Sequence, residues 1–141
     1  MDAKRFFYDF GKAIYHIDAV YEDFAKESGV TSPTLLGILY ALNDGREHTQ
    51  REICIDWELP KSTVNTVMTE LKKNGFVELI PIKGKRREMT IVLTENGKAY
   101  ANSLLAGIYE KEAEVFNQLD ADDLQIIHRL EKIVVLLRKK E

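Results

Sequence analysis

Between Pro60 and Lys73 the polar side chains Lys61, Ser62, Asn65, Thr66, Thr69, Lys72 and Lys73 recur at helical spacing, while Val64, Val67, Met68 and Leu71 fall on the opposite side. The spacing predicts an amphipathic helix with one buried stripe. Its other face offers small hydroxyls, an amide and lysines, with Glu70 the one acid near its edge. Such groups can exchange hydrogen bonds with base edges in a DNA major groove, and the lysines can meet phosphates. Any solvated helix also favours serine, threonine and lysine, so the face alone does not decide. A second feature does. Lys83, Lys85, Arg86 and Arg87 crowd one short stretch downstream. An isolated basic run of this length reads as a solvated loop. Behind such a helix it reads as a second contact to the same polyanion.

The elements that would hold these groups follow from the rest of the pattern. Phe6, Phe10, Ala13, Ile14, Ile17, Val20, Tyr21 and Phe24 recur at three- and four-residue steps and predict a long helix near residues 5–27. Phe7, Tyr8 and Tyr15 broaden its stripe beyond the needs of one small core. Thr31-Ser32-Pro33 opens a second helix carrying Leu35, Leu36, Ile38, Leu39 and Leu42, which stops at Asn43-Asp44-Gly45. Thr49-Gln50-Arg51-Glu52 fits a capping box and starts a short third helix through Ile53, Cys54 and Trp57. Glu58-Leu59 makes a tight turn before Pro60, and Asn74-Gly75 ends the fourth helix. The period then becomes two: Phe76–Ile82 and Met89–Leu93 predict a two-stranded hairpin with Lys83–Arg87 at its tip. Thr94 restarts helix towards Phe116, and Asp120 with Asp123 caps a last helix bearing Ile126, Ile127, Leu130, Ile133, Val134 and Leu137. Two helices joined by a short turn and followed by a basic hairpin make a winged helix-turn-helix, in which the second helix of the pair faces DNA.

Length and composition bound the alternatives. At 141 residues, 45% hydrophobic and 30% charged, the chain suits one domain or two small lobes. Its longest apolar runs, such as Ile133–Leu137, fall far short of the ~20 residues of a membrane span. The N-terminus lacks a secretory apolar region, so a soluble, cytoplasmic protein is expected. One cysteine and three histidines provide neither a disulfide framework nor a multi-cysteine zinc site. The formal charge of −3 conceals an asymmetry: residues 46–98 carry 10 Lys/Arg against 8 Asp/Glu, whereas the rest is strongly acidic. No nucleophile–base pair, paired carboxylate site, phosphate-binding glycine loop or cofactor motif appears, which speaks against an enzyme, a cofactor or a metal.

The sequence resembles the MarR (multiple antibiotic resistance regulator) family of winged helix-turn-helix transcriptional regulators over nearly the whole chain. The resemblance is most specific in Thr49-Gln50-Arg51-Glu52-Ile53-Cys54 with Leu59-Pro60-Lys61-Ser62-Thr63-Val64-Asn65, and next in the wing signature ending Leu93-Thr94-Glu95-Asn96-Gly97. The family's hairpin carries an Asp-x-Arg pattern. Here Arg87 takes the arginine place, and Lys85 stands where the aspartate would be. Glu58 stands where many members have a turn glycine. The resemblance implies a mainly α fold with a small β-hairpin wing. Residues 1–30 and 98–141 would form a helical dimerisation region, and residues 31–97 the winged helix-turn-helix lobe. It also implies a homodimer whose first and last helices interlock, with Phe6, Phe10, Ile127, Leu130 and Leu137 as interface or core. Two-fold symmetry would then demand a pseudo-palindromic operator with half-sites one helical turn, ~10 bp, apart. Repression enters as the family's commoner habit.

Roles can be assigned within this frame. Ser62, Asn65 and Thr66 are base-edge candidates, Asn65 being able to pair bidentately with adenine. Thr63, at the border of the face, is a further DNA-contact candidate, for the groove or for a phosphate. Thr49, Lys61 and Lys72 suit phosphates. Arg87, with Lys85 and Arg86 beside it, would enter the minor groove, where narrow A·T tracts attract guanidinium groups. Cys54 is expected to be a small buried packing residue rather than a redox switch, and Trp57 a core plug. Tyr8, Tyr15 and His16 could line a pocket for a small aromatic effector, although interface packing suits any one of them as well. The rival reading is a winged-helix protein-interaction module without specific DNA binding. Salt-dependent binding to duplex DNA separates the two.

Overall fold

A computed structural model of the chain describes residues 1–30 and 32–140. The order is α1 (Ala3–Glu27), α2 (Pro33–Leu42), β1 (His48–Thr49), α3 (Gln50–Asp56), α4 (Lys61–Lys73), β2 (Val77–Pro81), β3 (Met89–Leu93), α5 (Glu95–Phe116), a 3-10 turn (Asp123–Gln125) and α6 (Ile126–Arg138). The chain divides into two units, residues 1–107 and 108–141.

In the first unit, each helix boundary has a chemical cause. Asp2 caps α1, its carboxylate accepting from the Arg5 N–H at 2.8 Å. Ser32 caps α2 with Pro33 at the first helical position, where a missing N–H costs nothing. The expected start of that helix also included Thr31, which lies outside the described residues. The core is built from Leu36, Ile38, Leu39 and Leu42 of α2, Ile53 of α3, the predicted stripe Val64, Val67, Met68 and Leu71 of α4, and Leu105 of α5. Val77 and Ile91 close it from the sheet. Each such side chain removed from water contributes roughly 1.5–3 kcal/mol, so α4 is clamped by its apolar face and leaves its polar face outward.

The sheet corrects one expectation. It has three antiparallel strands in the order β1-β3-β2, not two. His48 pairs with Ile91 and Thr49 with Thr90 on one side of β3, while Val77 pairs with Leu93 and Pro81 with Met89 on the other. A two-residue strand has no period of its own, and Thr49 reads more strongly as the cap of α3. It is both. Its hydroxyl accepts from the Glu52 N–H at 3.1 Å while its backbone lies beside β3. The reciprocal bond of a capping box, from the Glu52 carboxylate back to Thr49, is not formed among the described residues.

Two further expectations change. Trp57 is not a core plug: it is 48% exposed, and its ring meets Tyr40 edge-on at 6.1 Å. In the second unit, Asp120 and Asp123 do cap each other's N–H groups, at 2.8 and 3.0 Å. The chain then passes through the 3-10 turn, so α6 itself begins only at Ile126. Along α6, Ile126, Ile127, Val135, Leu136 and Leu137 are exposed, as are Phe6, Phe7, Ile14, Ile17 and Val20 along α1.

Candidate nucleic-acid interface

The turn between α3 and α4 fixes how the exposed face of α4 is presented. α3 ends in a Schellman arrangement: the Leu59 N–H donates to the Cys54 carbonyl at 3.0 Å and the Glu58 N–H to that of Ile55 at 3.4 Å. This requires a left-handed residue between them, and Glu58 adopts φ 51°, the one positive φ outside glycine among the described residues. α4 closes in the same way, with Phe76 N–H on the Leu71 carbonyl at 2.9 Å and Gly75 N–H on that of Lys72 at 3.0 Å, Gly75 taking the left-handed place at φ 74°. The recognition helix is thus delimited at both ends by backbone hydrogen bonds.

On its outer face, Ser62, Asn65, Thr66, Thr69, Lys72 and Lys73 are exposed and Thr63 is half-buried. The Thr66 hydroxyl donates to the Ser62 carbonyl at 3.0 Å and that of Thr69 to the Asn65 carbonyl at 2.8 Å. Their protons are therefore committed to the helix, and each oxygen turns its lone pairs outward, suited to accept from the amino groups of adenine or cytosine. Asn65 accepts through Oδ1 from Nε2 of Gln50, the first residue of α3. That bond orients the amide and leaves its Nδ2 donor outward, along with one lone pair of Oδ1.

Gln50 and Asn65 form a ridge between two concavities. One, of about 530 Å³, brings together Thr49, Arg51 and Cys54 of the α3 region, Lys61 and Asn65 of α4, and Arg87, Glu88 and Met89 of the wing. The other, of about 710 Å³, lies between α4 and β2 and is lined by Lys72, Lys73, Thr69 and Leu79. Thr49, Lys61, Asn65 and Arg87, singled out separately in the sequence, so share one cleft, and Lys72 lies beyond the ridge. Arg86 and Lys85 are exposed at the wing tip, where Gly84 takes φ 84° and the Lys85 N–H donates to the Ile82 carbonyl at 3.1 Å.

Cys54 is half-buried on the wall of this cleft rather than sealed in the core, which is a correction. Tyr8 and Tyr15 are 64% and 76% exposed on α1, and His16 is exposed beside them. The Tyr8 ring lies under the Arg5 guanidinium at 5.5 Å and the Lys12 ammonium at 6.0 Å. Among the described residues no group of three potential metal ligands occurs.

Sequence reasoning missed Gln50, Arg51 and Glu88. The first two were absorbed into the capping motif. Glu88 did leave a signal, as the one acid adjoining the basic wing run. Its carboxylate lies 3.1 Å from Lys85 Nζ and 3.5 Å from Arg51 Nη1. The hydrogen bond from Lys85 and the charge beside it hold the Glu88 carboxyl below its ordinary range, with Arg51 adding to the effect. Asp44, before β1, is likewise held low, first by its hydrogen bond with His48 at 2.7 Å.

A recognition helix with an outward polar face, a preceding helix joined to it by a tight turn, and a basic hairpin opening on the same cleft define a winged helix-turn-helix protein. No protein-family model matches the chain. It is 25% identical over 124 residues to the HTH-type transcriptional repressor NicR of Pseudomonas putida, covering 87% of this chain and 78% of that protein. The solved MarR family regulator NMB1585 of Neisseria meningitidis superposes with a TM-score of 0.78 at 28% identity, over 92% of this chain and 91% of its own. AbfR, solved bound to DNA in its reduced form, has a TM-score of 0.64 at 20% identity over 96% of both chains. In fold and in sequence the chain is similar to MarR family winged helix-turn-helix regulators.

Proposed function

We propose that this protein is a sequence-specific DNA-binding transcriptional regulator that acts as a cytoplasmic homodimeric repressor on a pseudo-palindromic operator. The observation that carries the reading is the cleft in which the outward face of α4 and the wing arginine meet. α4 enters the major groove, where Asn65, Ser62 and Thr66 address base edges. Lys61, Lys72 and Thr49 hold phosphates and set the register. Thr63, half-buried at the border, meets the groove edge or a phosphate. The wing lies along the backbone, with Arg87 and Arg86 directed at the adjacent minor groove and Lys85 at its rim.

The exposed apolar stripes of α1 and α6 support the homodimer, since isolated surfaces of this kind demand a cover. A second copy related by a two-fold axis supplies one, and places two recognition helices on successive major grooves. Residues 1–30 and 98–141 then serve dimerisation and residues 31–97 DNA binding. Release by a small aromatic effector belongs to the same proposal, with Tyr8, Tyr15 and His16 as candidate contacts. An effector lowers operator affinity only in so far as it favours a spacing of the recognition helices that the operator does not. The protein reads DNA and catalyses no reaction, in keeping with relatives that are regulators.

Selection of duplexes from a randomised pool tests the proposal. The expected product is an inverted repeat with half-sites ~10 bp apart. Recovery of no common sequence, with equal retention of all duplexes, would transfer the fold to the interaction-module reading.

A further inference from the structure

The base of the wing holds a charged group that the DNA-binding reading leaves unused. Glu88 is half-buried at the foot of the wing, in the cleft that also holds Lys61, Asn65 and Arg87. One carboxylate oxygen faces Arg51 of α3 and the other Lys85 of the wing tip. Both cations are more than 60% exposed, and exposed ion pairs of this kind add little to folding stability. The cluster also sits where a carboxylate is least welcome beside phosphate. Arg86 and Arg87, by contrast, have no ion pair among the described residues. Of the wing's cations Lys83, Lys85, Arg86 and Arg87, one is thus held by a protein carboxylate, together with Arg51 of α3, and three are left for DNA.

We propose that Glu88 is a specificity-determining positioning residue: it ties the wing to α3 through Arg51 and withholds Arg51 and Lys85 from phosphates, lowering affinity for DNA in general more than for the operator. This rests on the DNA-binding reading. Lys85 would otherwise add a freely mobile cation to the wing. A carboxylate three residues on restores the balance and reaches across to α3 in the same contact. Phosphate must compete with Glu88 for both cations. Only a backbone held in register by base contacts in α4 does so productively, whereas a non-specific duplex meets a smaller effective charge. Each cation freed adds one phosphate contact, and each such contact steepens the slope of log K against log salt by about 0.9.

The test compares wild type with Glu88→Gln, Arg51→Gln and the double variant on operator and shuffled duplexes across a salt series. Glu88→Gln is expected to tighten shuffled-duplex binding five- to tenfold near 0.1 M salt, to steepen its slope by about one to two, and to lower the operator-to-shuffled ratio. In the Arg51→Gln background the effect of Glu88→Gln should shrink by half or more. Equal tightening on both duplexes, or the same effect with and without Arg51, would mean that Glu88 acts only as a nearby negative charge, and the proposal falls. Unchanged slopes overturn it as well. Loss of DNA binding by wild type itself is a separate result, and counts against the DNA-binding reading instead. Unfolding curves of the variants, expected to overlay that of wild type, keep a folding defect from imitating either outcome.

Discussion

The hydroxyl of Thr94 donates to the carbonyl of Gly75 at 2.6 Å, which ties the end of the wing to the end of the recognition helix. The same oxygen accepts from the Gly97 N–H at 3.0 Å and caps α5, while the Thr94 N–H donates to the Phe76 carbonyl at 3.0 Å. Phe76 also stacks on Tyr100 with ring centroids 4.2 Å apart. Wing, recognition helix and α5 therefore meet at one knot of hydrogen bonds centred on Thr94, and the Leu-Thr-x-x-Gly signature is its chemical requirement.

Gly97 is the residue that lets the knot close. A Cβ there would fall 1.9 Å from the Phe76 carbonyl oxygen, and backbone cannot swing aside as a flexible side chain can. Gly97→Ala should cost about 2–4 kcal/mol in urea unfolding, in the upper range for overpacking. Thr94→Val, which keeps the shape but removes two hydrogen bonds, should cost about 1–3 kcal/mol. A Gly97→Ala protein as stable as wild type would show that α5 does not approach Phe76 this closely.

Glu58 occupies the left-handed place of the turn at φ 51°. A side chain there costs on the order of 1 kcal/mol, and glycine removes that strain while adding unfolded-state entropy of similar size. Glu58→Gly should accordingly lie within about 1 kcal/mol of wild type, whereas the β-branched Glu58→Val should be destabilised by about 1–2 kcal/mol. Equal midpoints for the two variants would argue that the turn is not left-handed.

These two positions show how far the sequence reaches. Stripes such as Val64, Val67, Met68 and Leu71 announce themselves because a periodic apolar pattern has one cheap solution. The hairpin, its basic tip and the capping residues Ser32 and Thr49 were legible for the same reason, that each satisfies a local rule. β1 was not, since two residues carry no period and become a strand only because β3 lies beside them. The exposure of Trp57 and the half-burial of Cys54 depend on what packs above α3, which no local rule supplies. Of the cleft, the residues of α4 and the wing were legible from their type. Gln50 and Arg51 were not, because their roles arise from partners 15 and 37 positions away, Asn65 and Glu88.

Asn65 and Arg87 should fail in different ways. Asn65→Ala is expected to reduce the operator-to-shuffled ratio by the ~1–3 kcal/mol of a bidentate base contact, with little change in salt slope. Arg87→Ala should weaken both duplexes together and flatten the slope by about 0.9. Anisotropy titrations of both variants across a salt series distinguish these patterns. An intact operator preference in Asn65→Ala would put the reading face elsewhere on α4.

The wing tie and the Asp44–His48 pair share a pH sign. Glu88 and Asp44 have carboxyls held below their ordinary values of 4.5 and 3.8 in the folded protein. Groups of this kind contribute stability that is present above the unfolded value and is lost as pH falls through the folded one. Both carboxyls should therefore stay ionised from neutrality down to about pH 5 and be protonated only in stronger acid. Carboxyl-carbon NMR titration checks this; a Glu88 midpoint at or above 4.5 would mean that Lys85 and Arg51 do not hold it in solution.

The central claim, that the cleft of α4 and the wing reads a specific duplex, is tested most directly by fluorescence anisotropy. The full-length protein is titrated against DNA flanking its own coding region and against shuffled duplexes of equal length, at two salt concentrations. A dimer is expected to bind one flanking duplex at least a thousandfold, or ~4 kcal/mol, more tightly than the shuffled set, with affinity falling steeply as salt rises. Binding that is weak, equal on all duplexes and indifferent to salt would contradict it.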